Sequence, residues 1–157
     1  MKDVAEDLRR TVDREAARLA AIPAEKARSP VAPGKWSPQE IIGHLVDSAS
    51  NNHGRFVRAQ LHDDLIFPGY DQEAWVRMQD YVSSDWVALV ALWRGYNHHL
   101  SHVIERIDEH EATRLRARHN FDEIAWRTVP KSEPVTLEYF VRDYVAHLKH
   151  HLSQIAG

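Results

Sequence analysis

The chain has 157 residues, 43% hydrophobic and 27% charged, with a net charge of -3 and 11 histidines. That length suffices for one domain with a buried core, and the mildly acidic balance without a basic block argues against nucleic acid or an anionic membrane as partner. With no cysteine, the chain has no disulfide, no thiolate metal site and no thiol nucleophile of its own.

Val4, Leu8, Val12, Ala16 and Leu19 recur at helical spacing, which predicts a first amphipathic helix over residues 2–20. The charged start, Met1 to Asp7, has no signal-peptide core, and no apolar run approaches the ~18 residues of a membrane span. A cytoplasmic chain acting on a small molecule is therefore expected. Pro23, Pro30, Pro33 and Gly34 make residues 23–36 a long loop.

Ser37-Pro38-Gln39-Glu40 is a strong helix start: Ser37 can cap, Pro38 suits the first helical position and Glu40 completes a capping box. The second helix runs from there to about Leu61, with Ile41, Ile42, Leu45, Ala49, Phe56 and Ala59 as its apolar face. Beside that face, His44, Ser48, Asn51 and Arg55 fall within about 60° of one another on a wheel of ~100° per residue. Such a stripe is either a solvated face or the lining of a polar cavity inside a bundle.

Residues 62–82 form an ordered crossover, in which Pro68-Gly69 turns and Trp75, Met78 and Tyr81 suggest a short packed helical turn. A third helix spans about Ser84 to Ile107. His98 and His102 lie roughly 150° or more from its apolar stripe and belong in solvent, while His99, roughly 95° away, stands at the boundary with exposure expected. Asn97 points coreward and needs partners there. It either orients a ligand or belongs to a network internal to the bundle. Residues 108–135 are irregular, with the arginine-rich run Arg114 to Arg118 read as a surface loop.

Thr136 can cap the last helix, whose core face is Leu137, Val141, Tyr144, Leu148, Leu152 and Ile155. It carries three histidines. His151 lies roughly 50° and His147 roughly 90° from the centre of that face, on one flank, whereas His150 at roughly 150° points outward. Four long helices, no repeat, no glycine-rich phosphate loop and no alternating strand give an all-α four-helix bundle, one domain over 1–157.

His44 with the four-apart pair His147 and His151 would make one site of three imidazoles, ligands that suit zinc, nickel, copper or iron. Three protein ligands leave a coordination position open, the mark of a catalytic site, where the metal can activate water or a thiol brought by a substrate. The alternative is two surface histidines and a solvated His44. Candidates for orienting the ligands or lining the pocket are Asp47, Ser48, Asn51, Arg55, Asn97 and Gln154.

Two stretches carry a family resemblance. Lys35-Trp36-Ser37-Pro38-Gln39-Glu40-Ile41-Ile42-Gly43-His44-Leu45-Val46-Asp47-Ser48 resembles the start of the second helix of the DinB/YfiT-like family. His147-Leu148-Lys149-His150-His151-Leu152-Ser153-Gln154-Ile155 is similar to that family's last-helix motif, and Asp71-Gln72-Glu73-Ala74-Trp75 and the long third helix also fit. The resemblance covers nearly the whole chain. It implies an up-down-down-up bundle, a divalent metal, often nickel or zinc, on His44, His147 and His151, and a homodimer. Where many members have Arg-Gly before the Gln, this chain has Leu152-Ser153. Some relatives are transferases or isomerases using bacillithiol, mycothiol or glutathione; others are regarded as metal-dependent hydrolases. The expected function is therefore metal activation of a low-molecular-weight thiol, with hydrolysis by metal-activated water, or a non-catalytic ligand-binding bundle, as the alternatives.

Overall fold

The computed structural model describes residues 1–155. Its helices are α1 (Lys2–Ala20), α2 (Ala24–Ala27), α3 (Pro38–Ala59), α4 (Gln72–Gln79), α5 (Trp86–Glu105), α6 (Glu109–Thr113), α7 (Phe121–Ile124) and α8 (Leu137–Gln154). The long ones, α1, α3, α5 and α8, are the four expected, each within about two residues of the predicted span. Among the described residues no strand forms, and the two isolated bridges, Leu65 with His119 and Arg116 with Val135, tie connections together.

Side-chain pairs fix the helix directions. Ser101 Oγ donates to the Ala5 carbonyl and Trp86 Nε1 to that of Leu19, so α1 and α5 run antiparallel. Arg142 meets Asp3, Lys149 meets Asp7, and Arg18 reaches the carbonyls of Leu152 and Ile155, so α1 and α8 run parallel. Gln39 bonds Ser84, and His53 packs on Tyr96, which makes α3 parallel to α5. Phe56 packs on Phe140 while His44 packs on His147, which makes α3 antiparallel to α8. In chain order the four helices go up, down, down, up.

The long helices α3 and α5 are consecutive and parallel, which requires a long crossover, since a parallel neighbour cannot be reached by a short turn; α5 and α8 run antiparallel and are joined by a second long crossover. The first crossover carries α4, capped by Asp71, whose carboxylate accepts from Ala74 N at 3.0 Å. It is pinned on α3 by Gly43: a Cβ there would land inside the Tyr81 ring. Val76 and Tyr81 do the packing, at 4% and 8% exposure, whereas Met78 is 80% exposed and Trp75 39%. The expectation that Met78 packs fails because it lies on the outer face of a helix that has only one buried stripe.

The second crossover contains α6 and α7, turns too short to show a hydrophobic period. The arginine-rich run here is not wholly a surface loop. Arg116 is buried, bonded to Glu111 Oε2 at 2.7 Å and to the carbonyls of Ala59 and Glu111. Its carboxylate partner and the freed end of α3 make burial of the guanidinium tolerable. Between the long helices lies one core that includes Leu8, Leu19, Ile41, Leu45, Phe56, Trp93, Leu100, Ile104 and Leu137, each large side chain contributing about 1.5–3 kcal/mol on burial.

Candidate metal centre

The capping box sets the register of α3. Ser37 Oγ accepts from Glu40 N at 3.2 Å, and Glu40 Oε2 accepts from Ser37 N at 2.7 Å. Two turns later that register aims His44 inward, fully buried. On α8, started by Thr136 Oγ1 accepting from Tyr139 N, His147 and His151 stand one turn apart and face His44. The three ring centroids are 4.5–5.2 Å apart. One nitrogen from each ring lies within 4.8 Å of the others, and His44 Nε2 is 3.3 Å from His147 Nε2.

All three rings are held uncharged. Burial drives the His44 pKa down to about 3 and that of His147 to about 2, with neighbouring histidines adding to the effect, and burial also lowers His151. Neutral imidazole is the form that ligates a metal. Gln154 Oε1 lies 3.2 Å from His151 Nδ1. When Nδ1–H donates to it, Nε2 carries the lone pair. His44 Nδ1 is buried with no partner.

Two indoles flank the cluster. Trp36, from the loop before α3, lies 5.2 Å from the His44 ring and 6.4 Å from His151. Trp126 lies 6.2 Å from His147 and 5.1 Å from the exposed His150. A cavity of about 180 Å³ begins at His147 and His151 and runs between α3 and α8. Ser48, Asn52 and Arg55 line it from α3, and Phe140, Asp143 and Tyr144 from α8. Tyr70 closes it from the first crossover and Glu123 to Trp126 from the second. Asp143 accepts from Trp126 N at 2.8 Å and Arg127 N at 3.0 Å, and burial pushes its carboxyl up. Burial, followed by the Asp47 charge, pushes the Tyr70 phenol up to about 12.

The polar stripe of α3 is thus inward, not solvated. His44, Ser48 and Arg55 are buried, and Asn51 is half-buried. Asn51 bonds back to the Asp47 carbonyl, and the neighbour Asn52 lines the cavity in its stead. Asp47 accepts from Gln79 and Tyr81 through Oδ1 and leaves Oδ2 buried without a partner; it makes no bond to His44. Asn97 bonds the Trp93 carbonyl and the Tyr144 hydroxyl, away from the histidines, within the bundle's own network. His99 and His102 are exposed, and His98 is half-buried against Asp13. Asp143 could have been found in the sequence, because it extends the four-residue step of His147 and His151 one turn upstream. Trp36, Tyr70 and Trp126 come from loops, where no periodicity marks them.

A family profile described as the DinB superfamily matches residues 7–155. The chain is 24% identical over 127 residues to YfiT of Bacillus subtilis (strain 168), covering 81% of this chain and 66% of that protein. It is 25% identical over 124 residues to OB0782 of Oceanobacillus iheyensis, covering 79% and 65%. The names of both make them candidate metal-dependent hydrolases. The chain therefore spans about two thirds of the length of the curated relatives it matches. The solved structure of Bacillus subtilis YfiT superposes with a TM-score of 0.78 at 20% identity, covering 98% of this chain and 83% of that one. It is described as a probable metal-dependent hydrolase with an unusual four-helix bundle topology.

Proposed function

Because the chain belongs to the DinB superfamily and gathers three neutral histidines at one end of a cavity, we propose that it is a metal-dependent enzyme whose ion is held by His44, His147 and His151. The observation that carries this reading is the 3.3 Å separation of His44 Nε2 and His147 Nε2. Nitrogens about 2.0–2.1 Å from a tetrahedral zinc stand roughly 3.3 Å apart, so two rings are already spaced as ligands. The all-nitrogen donor set suits zinc or nickel and not magnesium or calcium.

When bound, such an ion supplies Lewis-acid activation of a nucleophile at its open position. The chain's own residues do the rest. Gln154 fixes the His151 tautomer, and the Trp36 and Trp126 rings shield the cluster from bulk water. The space between α3 and α8 receives a small molecule. Hydrolysis is the reaction that the names of the two relatives support. Thiol transfer is the second reading, supported by the absence of cysteine from the sequence: any thiolate at the site has to arrive with a co-substrate such as bacillithiol, mycothiol or glutathione.

Purified protein is expected to carry about one equivalent of nickel or zinc, and His147→Ala to lose it, by elemental analysis and native mass spectrometry. A chain that takes up neither metal, or a His147→Ala chain that binds as well as wild type, defeats the reading. An ester and amide hydrolysis screen, run with and without added thiol, separates the two reactions. A thiol that leaves the ligand-field spectrum of cobalt-substituted protein unchanged defeats the second.

A further inference from the structure

Two arginines of this chain are almost wholly buried, and they are treated differently. Arg116, 2% exposed, has its counter-charge in Glu111 at 2.7 Å. Arg55, 5% exposed, has none: among the described residues no carboxylate stands in ion-pair contact with it. Its guanidinium gives one N–H to the Pro68 carbonyl at 2.7 Å and another to Asn52 Oδ1 at 3.4 Å. Of its five donors the others meet no acceptor among the described residues, and the group lines the cavity. A buried charge without a counter-ion is costly.

The surroundings fit an arriving anion. Asp143, the buried carboxylate that lines the cavity, has each oxygen bonded by a backbone N–H. Glu123 at the mouth pairs with Lys131 at 3.0 Å. Tyr70, neutral up to about pH 12, offers a hydroxyl beside the guanidinium. Phe140, 5.9 Å from Arg55, and Ile124 supply apolar wall. Phe140 and His147 lie seven residues apart on α8, roughly 10 Å along the axis. The cavity therefore has the Arg55 guanidinium at one end, Ser48, Asn52, Asp143 and Tyr144 along its length and the histidines at the other. Its volume of about 180 Å³ holds about six waters at roughly 30 Å³ each.

We propose that the ligand of this cavity is a small organic anion whose carboxylate pairs with Arg55 while its reactive end faces His147 and His151. This names a substrate class for the site proposed above, and it rests on that reading only for the reactive end. Guanidinium and carboxylate match as a planar fork, and the pair gains strength where water is excluded.

Hexanoate and its neutral isostere hexanamide test it by calorimetric titration of both the metal-loaded and the chelator-treated protein. Metal-free wild type is expected to bind hexanoate about ten- to hundredfold more tightly than hexanamide. Arg55→Gln is expected to abolish the preference, Arg55→Lys to keep part of it, and metal content to stay unchanged in both. The Arg55 Nε–H resonance is expected to move with hexanoate and not with hexanamide, which needs no variant. A wild type that binds both alike or neither, an Arg55→Gln chain that keeps the preference, or an unmoved resonance overturns the proposal. Failure to bind nickel or zinc with the preference intact overturns the metal reading alone.

Discussion

Gln154 is a surface side chain bonded to the half-buried His151 ring. Its carbonyl oxygen sits 3.2 Å from His151 Nδ1 and its amide 3.1 Å from His150 Nε2. A neutral histidine offers a lone pair on only one nitrogen, so fixing the proton on Nδ1 leaves Nε2 free. Gln154→Leu is expected to lower metal affinity about tenfold, read by competition with a chelating dye, while the thermal midpoint of the metal-free protein stays put. Gln154→Glu, which keeps the acceptor, is expected to restore binding. At this scale much was legible. The wheel angles separate His147 and His151 from the outward His150 because a helix face is a matter of spacing alone. The partners of Asp47 and Asn97 were not legible. They depend on Tyr81, Gln79 and Tyr144, residues up to 47 positions away, and spacing within one helix says nothing about what another element presents.

Among the elements, the join between α3 and the first crossover is the most tightly constrained. Gly43 precedes His44, and the Tyr81 ring occupies the space where a side chain at Gly43 would sit. Tyr81 in turn donates to Asp47 Oδ1 at 2.7 Å. Gly43→Ala is expected to force the ring out and cost about 1–3 kcal/mol through overpacking, read from urea unfolding. It should also weaken metal binding more than a remote core change of equal cost, because the displaced segment abuts the His44 turn. The boundaries of α1, α3, α5 and α8 were readable from caps and apolar periods that act within a few residues. The turns α6 and α7, of five and four residues, are too short for a period to register. The burial of Arg116 depends on Glu111 and on the end of α3, so composition alone made its segment look like surface.

For the whole molecule, the buried histidines set an acid limit. Unfolded, they take up protons below about pH 6.5. Folded, His44 resists until about 3 and His147 until about 2. The unfolded state therefore binds more protons across that window, and stability must fall as the pH falls through it. Each of the two contributes about 1.4 kcal/mol of loss per pH unit. Urea midpoints of metal-free protein measured from neutral to mildly acidic pH check this: a His44→Leu chain should show the shallower dependence. A wild-type midpoint that does not move would mean that the rings are hydrated and not buried.

The up-down-down-up course has a consequence for assembly. His44 and His147 stand 103 positions apart, and the pair on α8 offers at most two donors until α3 has docked against it antiparallel. Three-point capture of an ion is therefore conditional on nearly the entire chain having threaded both crossovers correctly. An ion held as proposed would work as a coincidence detector of native topology: a chain with a misplaced crossover would have all three histidines yet could not close the clasp.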